Sequence, residues 1–294
     1  PEVSTQINGL SFSDPRGVKM HSLQTSFKYT LSSMLFQNLK IQTMNSNLEG
    51  NLKFKYKRED LKYFSDKVVL DANFTNSTIN LGELNVFFPE FGASENITFD
   101  TNILGTLNNL ELKNFKLKSN RTTFINGQFN FINLIDSKSK PFEMTGQIER
   151  LTSKYSDLKR ILPRILGENI PSNLSTLGVF TLKGNTEISG PSIVANFEAL
   201  TELGAVVFDL NLSKIKSIDD AQYQGAIQLD NFDLGLLIDQ PNFGQITSDF
   251  VIQGKGFTLE KLQSNITGTC DAFEVNNYIY KNLNIEGFVK NKIF

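Results

Sequence analysis

One cysteine and one histidine are the side chains with the most obvious capacity for chemistry in this sequence. Nucleophilic catalysis requires a Ser or Cys beside a His that is oriented by a carboxylate. His21 lies in the polar stretch 19–22, whereas Cys270 falls in phase with the apolar Ile266 and Ala272. We therefore interpret His21 as a surface side chain and Cys270 as a side chain that packs within a strand. One Cys and one His are also too few for an internal disulfide or a structural zinc site.

Carboxylates and glycines offer two further kinds of candidate site. Paired carboxylates can bind a cation or exchange protons, and glycine-rich loops can cradle phosphate. The pair Asp219 and Asp220, and the pair Glu90 and Glu95, lie in turn-like regions, which favours solvated loop carboxylates. The segment 254–256 is only a Gly-x-Gly fragment, and a turn at the end of a strand explains it better. The sequence predicts no enzyme, no cofactor and no metal site.

Composition excludes further function classes. The 294 residues include 29 Lys and Arg against 31 Asp and Glu, so the net charge of -2 offers no basic face for nucleic acid. Hydrophobic residues make up only 39% of the chain, yet 25 residues are Phe, so the aromatic side chains must occupy selected faces. No apolar run is long enough for a membrane-spanning helix. The chain begins without Met and ends within a strand pattern, and we expect it to be an excerpt of a longer protein.

Alternation of apolar and polar residues is the dominant pattern. In the segment 48–57 the even positions are apolar or Gly, and the odd positions are Glu, Asn or Lys. A period of two is typical of strands with one apolar face, and short polar connections require antiparallel neighbours. We therefore predict a mainly β protein with roughly a dozen strands and one or two short helices. Its fold would be an elongated, twisted antiparallel sheet, curved into an open groove with an apolar interior.

A helical segment interrupts the strand pattern. Apolar residues from Tyr155 to Leu166 follow helical spacing, Pro163 divides the segment, and Gly167 is a stop signal. This helix either packs on its own sheet, which we favour, or binds a membrane surface or a partner. The run 232–238 predicts one more helical turn. We accordingly divide the chain into a first β-groove half at 1–154, a short helical break at 155–175, and a second β-groove half at 176–294.

A weak sequence repeat recurs along the predicted strands. Asn followed by an apolar, a polar and another apolar residue recurs at Asn38, Asn109, Asn114, Asn231 and Asn282. Between the second and third copies the apolar phase slips from even to odd positions. This slip predicts a β-bulge near residues 113–114, which would bend the sheet.

The two faces of the predicted sheet pose different questions. Lys53, Lys55 and Lys57 form a charged row on the polar face. This row could bind acidic lipid head groups or an acidic partner. The interpretation that we favour is that it keeps the polar face soluble. The apolar face must be covered. A second sheet, lipid around a closed sheet, or cargo in an open groove would each do so, and periodicity alone does not choose between them.

Several segments of the sequence resemble those of a known protein family. They are Gly225-Ala226-Ile227-Gln228-Leu229-Asp230-Asn231-Phe232-Asp233-Leu234-Gly235, the segment from Gly244 to Gly256, the closing Tyr280-Lys281-Asn282-Leu283-Asn284-Ile285-Glu286-Gly287, and Asn8-Gly9-Leu10-Ser11-Phe12-Ser13-Asp14. In these phrases the chain resembles the TamB-like (translocation and assembly module) branch of the AsmA-like superfamily, in its Bacteroidetes form. The resemblance extends over nearly the whole chain. It rests on the general residue pattern and on recurring short segments, not on an invariant catalytic motif.

The resemblance implies a location and partners. It implies a protein of the periplasm and cell envelope, anchored to the inner membrane by a segment outside this chain. It also implies phospholipids as cargo and an Omp85-type outer-membrane protein as partner, contacted through regions outside this chain. No nucleic acid is expected as a partner.

From the alternation and the resemblance together we predict a lipid-transfer conduit segment that carries phospholipid acyl chains along an apolar β-groove between the inner and outer membranes, and so supports outer-membrane assembly. The alternative is a structural scaffold for outer-membrane protein insertion with the Omp85-type partner. The residues predicted to line the groove are Leu52, Phe54, Tyr56, Val68, Leu70, Phe74, Ile97, Phe99, Ile125, Phe129, Phe131, Phe180, Leu182, Phe197, Phe208, Leu210, Ile227, Leu229, Phe250, Ile252, Leu283 and Ile285.

Overall fold

The computed structural model describes residues 2–86, 91–92, 95–134, 140–161, 172–215, 217, 219–258 and 261–290. Sixteen strands within these residues form one antiparallel sheet, in which every strand lies beside its neighbours in the chain. The first eight are β1 (Val3–Ser13), β2 (Lys19–Tyr29), β3 (Ser33–Thr43), β4 (Asn47–Lys55), β5 (Val69–Asn80), β6 (Asn96–Thr106), β7 (Asn109–Ser119) and β8 (Phe124–Ile132). The second eight are β9 (Glu143–Lys154), β10 (Val179–Ser189), β11 (Ser192–Thr201), β12 (Gly204–Ser213), β13 (Gln222–Asp233), β14 (Phe243–Lys255), β15 (Gln263–Val275) and β16 (Tyr278–Lys290).

Within the described residues, β1 and β16 each pair with one strand only, so the sheet is open. The prediction of a mainly β protein built on an antiparallel sheet is confirmed. The structure has more strands than the predicted dozen, chiefly because the period-two pattern did not identify β1, β2 and β3. Thr25 is buried on the apolar face of β2, and the pairings of β1 with β2 and of β2 with β3 each contain two register shifts. These features break the simple alternation that marks the later strands.

Short helices occupy a few of the connections. A 3₁₀ helix (Arg58–Tyr63) and α1 (Phe64–Lys67) join β4 to β5, and α2 (Leu81–Asn85) follows β5. The connection after β9 contains α3 (Tyr155–Ile161) and a second 3₁₀ helix (Ser172–Leu177), and α4 (Leu234–Ile238) follows β13. The helical turn predicted in 232–238 is thus confirmed, and α3 confirms the predicted helix as far as Ile161, since 162–171 lie outside the described residues. None of the described helices is long and apolar enough to cross a membrane.

The chain divides into two compact units. Unit 1 contains residues 1–146 and 160–163, and unit 2 contains 147–159 and 164–294. Unit 1 therefore holds β1 to β8, and unit 2 holds β10 to β16. The two units are described separately below.

Asparagines in the left-handed conformation mark irregular points in the strands. Asn38, Asn114, Asn231 and Asn282, which belong to the sequence repeat, have φ values between 46° and 54°. The register shifts between Leu112 and Phe115, so the bulge predicted near 113–114 is confirmed. Asparagine tolerates this conformation better than other residues with a Cβ atom. The repeated Asn therefore supplies the backbone geometry of the bulges.

Side chains on the neighbouring strand stabilise these bulges. The backbone N–H of Asn231 donates to Thr247 Oγ1 at 3.1 Å, and that of Asn38 donates to Asn51 Oδ1 at 3.0 Å. A third bulge follows the same rule, because the N–H of Asn76 donates to Asp100 Oδ1 at 2.7 Å. A bulge removes a backbone group from the strand ladder, and each of these hydrogen bonds supplies the missing partner.

Substitution at Asn231 tests this role. We expect Asn231→Ala to lower the free energy of unfolding by about 1–2 kcal/mol, because a Cβ without the local asparagine hydrogen bonding disfavours the left-handed conformation. Asn231→Gly should cost less, since glycine adopts that conformation freely. Urea denaturation of the three proteins measures the difference. Equal destabilisation by Ala and Gly would show that the side chain, and not the backbone conformation, is what matters here.

Candidate apolar binding face

The strand register aligns apolar side chains into continuous rows in unit 1. Residues directly opposite each other on paired strands share a face, so the pairings trace each row across β2 to β8. We call the two longest rows the Leu52 row and the Phe54 row. The Leu52 row contains Phe27, Phe36, Leu52, Ala72, Ile103, Leu112 and Phe129. The Phe54 row contains Tyr29, Met34, Phe54, Leu70, Gly105, Leu110 and Phe131.

Unit 2 contains three rows of the same kind, which cross β10 to β16. We name them after Phe208, Leu210 and Leu229. The Phe208 row contains Gly184, Phe197, Phe208, Ile227, Phe250, Gly268 and Ile285. The Leu210 row contains Thr186, Ala195, Leu210, Gly225, Ile252, Ile266 and Gly287, and the Leu229 row contains Leu182, Ala199, Val206, Leu229, Ser248, Cys270 and Leu283.

These rows form one apolar face in each unit, and most of their side chains are only half-buried. Phe208, for example, lies between Phe197 and Ile227, with its ring centroid 5.6 Å from that of Phe197. All the described strands belong to one sheet, so no second described sheet covers either face. Seven strands at their usual spacing give each row a length of about 29 Å. Each unit therefore presents a long, partly accessible apolar surface.

Glycines in these rows lie where the strands approach each other closely. A Cβ atom at Gly225 would lie 1.9 Å from the carbonyl oxygen of Asp209, and one at Gly268 would lie 2.0 Å from that of Asp249. Both glycines also have φ values that disfavour a side chain, +151° and +155°. Gly268 lies opposite Phe250 and Ile285. The glycines thus leave room on the face beside large side chains.

In unit 1, helices cover one end of the apolar face. Leu81 of α2 and Ile161 of α3 pack with Ile97 and Leu117 in a buried cluster, which we call the α2 cluster. The contact of Ile161 with sheet residues agrees with the interpretation that the predicted helix packs on its own sheet. At the other end of these strands, Phe64 of α1 packs on Phe54, with ring centroids 5.5 Å apart.

In unit 2, α4 and the second 3₁₀ helix cover part of the apolar face. Phe232, Ile246, Leu203 and Cys270 form a buried cluster, and Leu234 and Leu237 of α4 and Leu177 of the 3₁₀ helix pack against it. Asp233 begins α4, and its Oδ1 accepts a hydrogen bond from the backbone N–H of Leu236 at 2.9 Å. The described helices of unit 2 pack at this cluster. Within the described residues, the middle of the apolar face of unit 2 is therefore not covered by a helix.

Glu95 of unit 1 is a buried carboxylate that forms ion pairs with two partly exposed arginines. Glu95 is only 2% exposed, and Arg121 Nε donates to its two carboxylate oxygens at 3.0 and 3.3 Å. A nitrogen of Arg160, at the end of α3, lies 3.8 Å from the same carboxylate. The interpretation of Glu95 as a solvated loop carboxylate is therefore wrong, because its side chain is buried and pairs with Arg121 and Arg160. Glu90, its proposed partner, lies outside the described residues.

The other candidate chemical residues belong to different elements of the chain. His21 is exposed on β2, as predicted, and Asp220 is exposed. Asp219 is exposed and accepts a hydrogen bond from Thr258 Oγ1 at 3.0 Å. Gly256 ends the run 254–256 with φ +75° directly after β14, as expected for a turn at a strand end. Among the described residues, no group of three or more His, Cys, Asp or Glu side chains has the arrangement of a metal site.

Cys270 packs with Leu203, Phe232 and Ile246 beneath α4 and is fully buried, as predicted. Burial raises the pKa of its thiol, because an apolar environment disfavours the thiolate. We therefore expect native protein to resist alkylation by iodoacetamide at pH 8, since the thiolate is the reactive species. Protein unfolded in urea should react fully at the same pH. Mass spectrometry of both samples gives the result, and rapid labelling of folded protein would contradict the burial of Cys270.

The predicted lining residues occupy the apolar faces. Within unit 1 the register places Phe74, Ile97, Phe99 and Ile125 on the same face as the Leu52 and Phe54 rows, and Tyr56 and Val68 are buried just beyond the ends of β4 and β5. Phe180 of unit 2 shares the phase of Leu182 on β10. The remaining predicted residues belong to the rows named above.

Sequence reasoning missed several members of the faces. The prediction omitted Phe27, Phe36 and Leu112 of the Leu52 row, together with the inward glycines. A signal for the glycines was present, because Gly50, Gly127 and Gly225 fall in phase with the apolar positions of their strands. The bulge at Asn38 shifted the phase in β3 and concealed Phe36.

No protein-family model matches this chain, and comparisons with curated proteins and with solved structures found no significant match. The geometry by itself defines a class, that of open antiparallel β-sheets with a partly accessible apolar face in each compact unit.

Proposed function

We propose that this chain is a segment of a periplasmic lipid-transfer conduit. Phospholipid acyl chains would lie along the apolar faces on their way between the inner and outer membranes, and the transfer would support outer-membrane assembly. The observation that carries the proposal is the continuity of the apolar rows across seven consecutive strands in each unit, with most of their side chains only half-buried. The sequence resemblance to TamB-like proteins agrees with this function.

The dimensions and energetics suit an acyl chain. Each row is about 29 Å long, which is comparable to the hydrocarbon thickness of a whole bilayer, so it exceeds one leaflet. Transfer of each methylene from water to such a surface is favourable by about 0.8 kcal/mol. The polar head group would remain in water at the open side. The proposal assigns no catalytic residue and no cofactor, and the anchor and the Omp85-type partner would belong to regions outside this chain.

Native mass spectrometry of the purified chain tests the proposal. We expect co-purified phospholipid, which organic extraction would remove and added phospholipid would restore. As a control, the same protein should not retain a short, fully water-soluble phosphoglycerol, because that molecule lacks the acyl chains that the apolar face would bind. Protein that never carries lipid, even after incubation with vesicles, would contradict the conduit.

A structural scaffold for outer-membrane protein insertion is the second candidate. The edge strand β16 favours it, since its 13 residues have no strand partner on their outer side within the described residues. Such an edge can template the strand of another polypeptide. A lipid-free protein that binds extended client peptides along β16 would favour the scaffold over the conduit.

A further inference from the structure

The polar face of unit 2 contains a cavity that the lipid proposal does not use. It has a volume of about 680 Å³ and lies on strands β11 to β16. Two neighbouring cross-strand rows of polar-face residues contribute most of its lining. The first row contains Ser213, Gln222, Lys255, Gln263 and Lys290, and the second contains Asn211, Gln224, Gln253, Asn265 and Phe288. All of these except Lys290 line the cavity.

The six amide side chains of these rows are free to bind a ligand. None of them makes a side-chain hydrogen bond to another described residue. The polar face of unit 1 differs, because two pairs of its amides bond across strands. Asn73 Nδ2 donates to Asn102 Oδ1 at 2.6 Å, and Asn80 Nδ2 donates to Asn96 Oδ1 at 2.8 Å. A side-chain amide offers both donors and acceptors, which is what a sugar hydroxyl or acetamido group requires.

An aromatic ring and two positive charges complete the surface. Phe288 is 53% exposed at the β16 end of the second row, where its flat ring can pack against the apolar side of a sugar. From β12 to β16 the two rows contain no carboxylate, and the second row reaches Glu187 only on β10, beyond Val194. The rest of this polar face is acidic, with exposed Asp209, Asp230 and Asp249 on β12 to β14. Beside the first row, an adjoining pocket is lined by Lys214, Lys255 and Lys261 together with Asp219 and Asp220, so the lysines outnumber the carboxylates there. With Lys290, they give this region a net positive charge on an otherwise negative face, which is complementary to an anionic ligand.

The spacing of the lysines indicates the form of the ligand. Lys255 and Lys290 both pair with Gln263, so they lie two strands apart on one row. Two strand spacings amount to about 9.5 Å, which is close to the length of one disaccharide unit. From these observations we propose that the two rows bind an acidic glycan chain, with acetamido groups and one carboxylate per disaccharide, running across the strands. This function is independent of lipid binding, because it uses the opposite face of the sheet.

Isothermal titration with two soluble probes tests the proposal. A hyaluronan hexasaccharide carries one carboxylate per disaccharide, whereas a chitin hexasaccharide has acetamido groups and no carboxylate. We expect the hyaluronan fragment to bind and the chitin fragment to bind about tenfold more weakly, because the chitin fragment lacks the carboxylates that the lysines would contact. Absence of hyaluronan binding, or equal affinity for both probes, would overturn the acidic glycan as ligand.

Variants locate the site. Gln224 and Gln253 pair directly, and Gln224→Ala combined with Gln253→Ala should weaken hyaluronan binding by about tenfold. Lys255→Gln with Lys290→Gln should abolish the preference for the acidic probe. The matched control is Gln228→Ala with Gln245→Ala, two exposed amides of the same strands outside the rows, and it should leave affinity unchanged. Circular dichroism verifies folding, and a folded row variant with full affinity would refute the assignment.

Discussion

Phe208→Arg is expected to remove bound phospholipid from folded protein, whereas Val207→Arg is expected to leave lipid binding intact. Phe208 belongs to the apolar face between Phe197 and Ile227. An arginine there would place a charge along the path of the acyl chain, and its desolvation costs several kcal/mol unless the side chain reaches water. Since about 1.4 kcal/mol corresponds to a tenfold change in affinity, lipid occupancy should fall by about tenfold or more.

Val207 is the matched control because it is adjacent in sequence and faces the other way. It is 42% exposed and lies opposite Glu198 and Gln228 on the polar face. An arginine at this position remains in water, close to a carboxylate. Native mass spectrometry measures lipid occupancy of both variants, and thermal unfolding measures their stability.

The three outcomes for Phe208→Arg have different meanings. A folded variant without lipid supports an accessible apolar face. An unfolded or depleted variant would mean that Phe208 belongs to a closed core, which cannot accept a charge. A folded variant that retains lipid, as Val207→Arg should, would refute the role of the Phe208 row. A photo-crosslinking residue at 208 should capture lipid, and one at 207 should not, because neighbouring side chains on a strand point to opposite faces.

Gly268→Ala is expected to destabilise the protein by about 3 kcal/mol, from strained backbone and a steric clash together. The added Cβ would lie 2.0 Å from the carbonyl oxygen of Asp249, and the φ of +155° disfavours any side chain. Strands β14 and β15 would have to separate where Phe250 lies opposite Gly268. The midpoint of urea denaturation should therefore fall markedly.

Gly287 on β16 provides the control for this substitution. It lies opposite Ile266 in the neighbouring row, and an added Cβ would meet nothing within 4 Å. Gly287→Ala should be neutral or stabilising by up to about 1 kcal/mol, because alanine restricts the unfolded chain. If both variants unfold at the same urea concentration, the close approach of β14 and β15 at Gly268 does not make an added Cβ destabilising, and the prediction is wrong.

The sequence alone determined the fold class and the facing of most strands. Alternation over 48–57 and 206–212 identifies which side chains share a face, because the side-chain period of a strand is two wherever the ladder is regular. The Asn repeat also located the bulge near 113–114, since a phase slip within an apolar pattern requires an extra residue. Both signals are local, so they can be read without knowledge of distant contacts.

Only the tertiary structure decided the strand register, the helices that cover the apolar faces and the burial of Glu95. Phe36 joins the Leu52 row because the bulge at Asn38 restores its phase, and periodicity across that bulge is lost. Glu95 is buried because Arg121, 26 positions later, and the end of α3 meet it, and no local pattern specifies such an encounter. The same holds for the amide rows around Gln263, whose members come from five strands. A row depends on strand pairing, and strand pairing is fixed by the sum of many contacts between residues far apart in the chain.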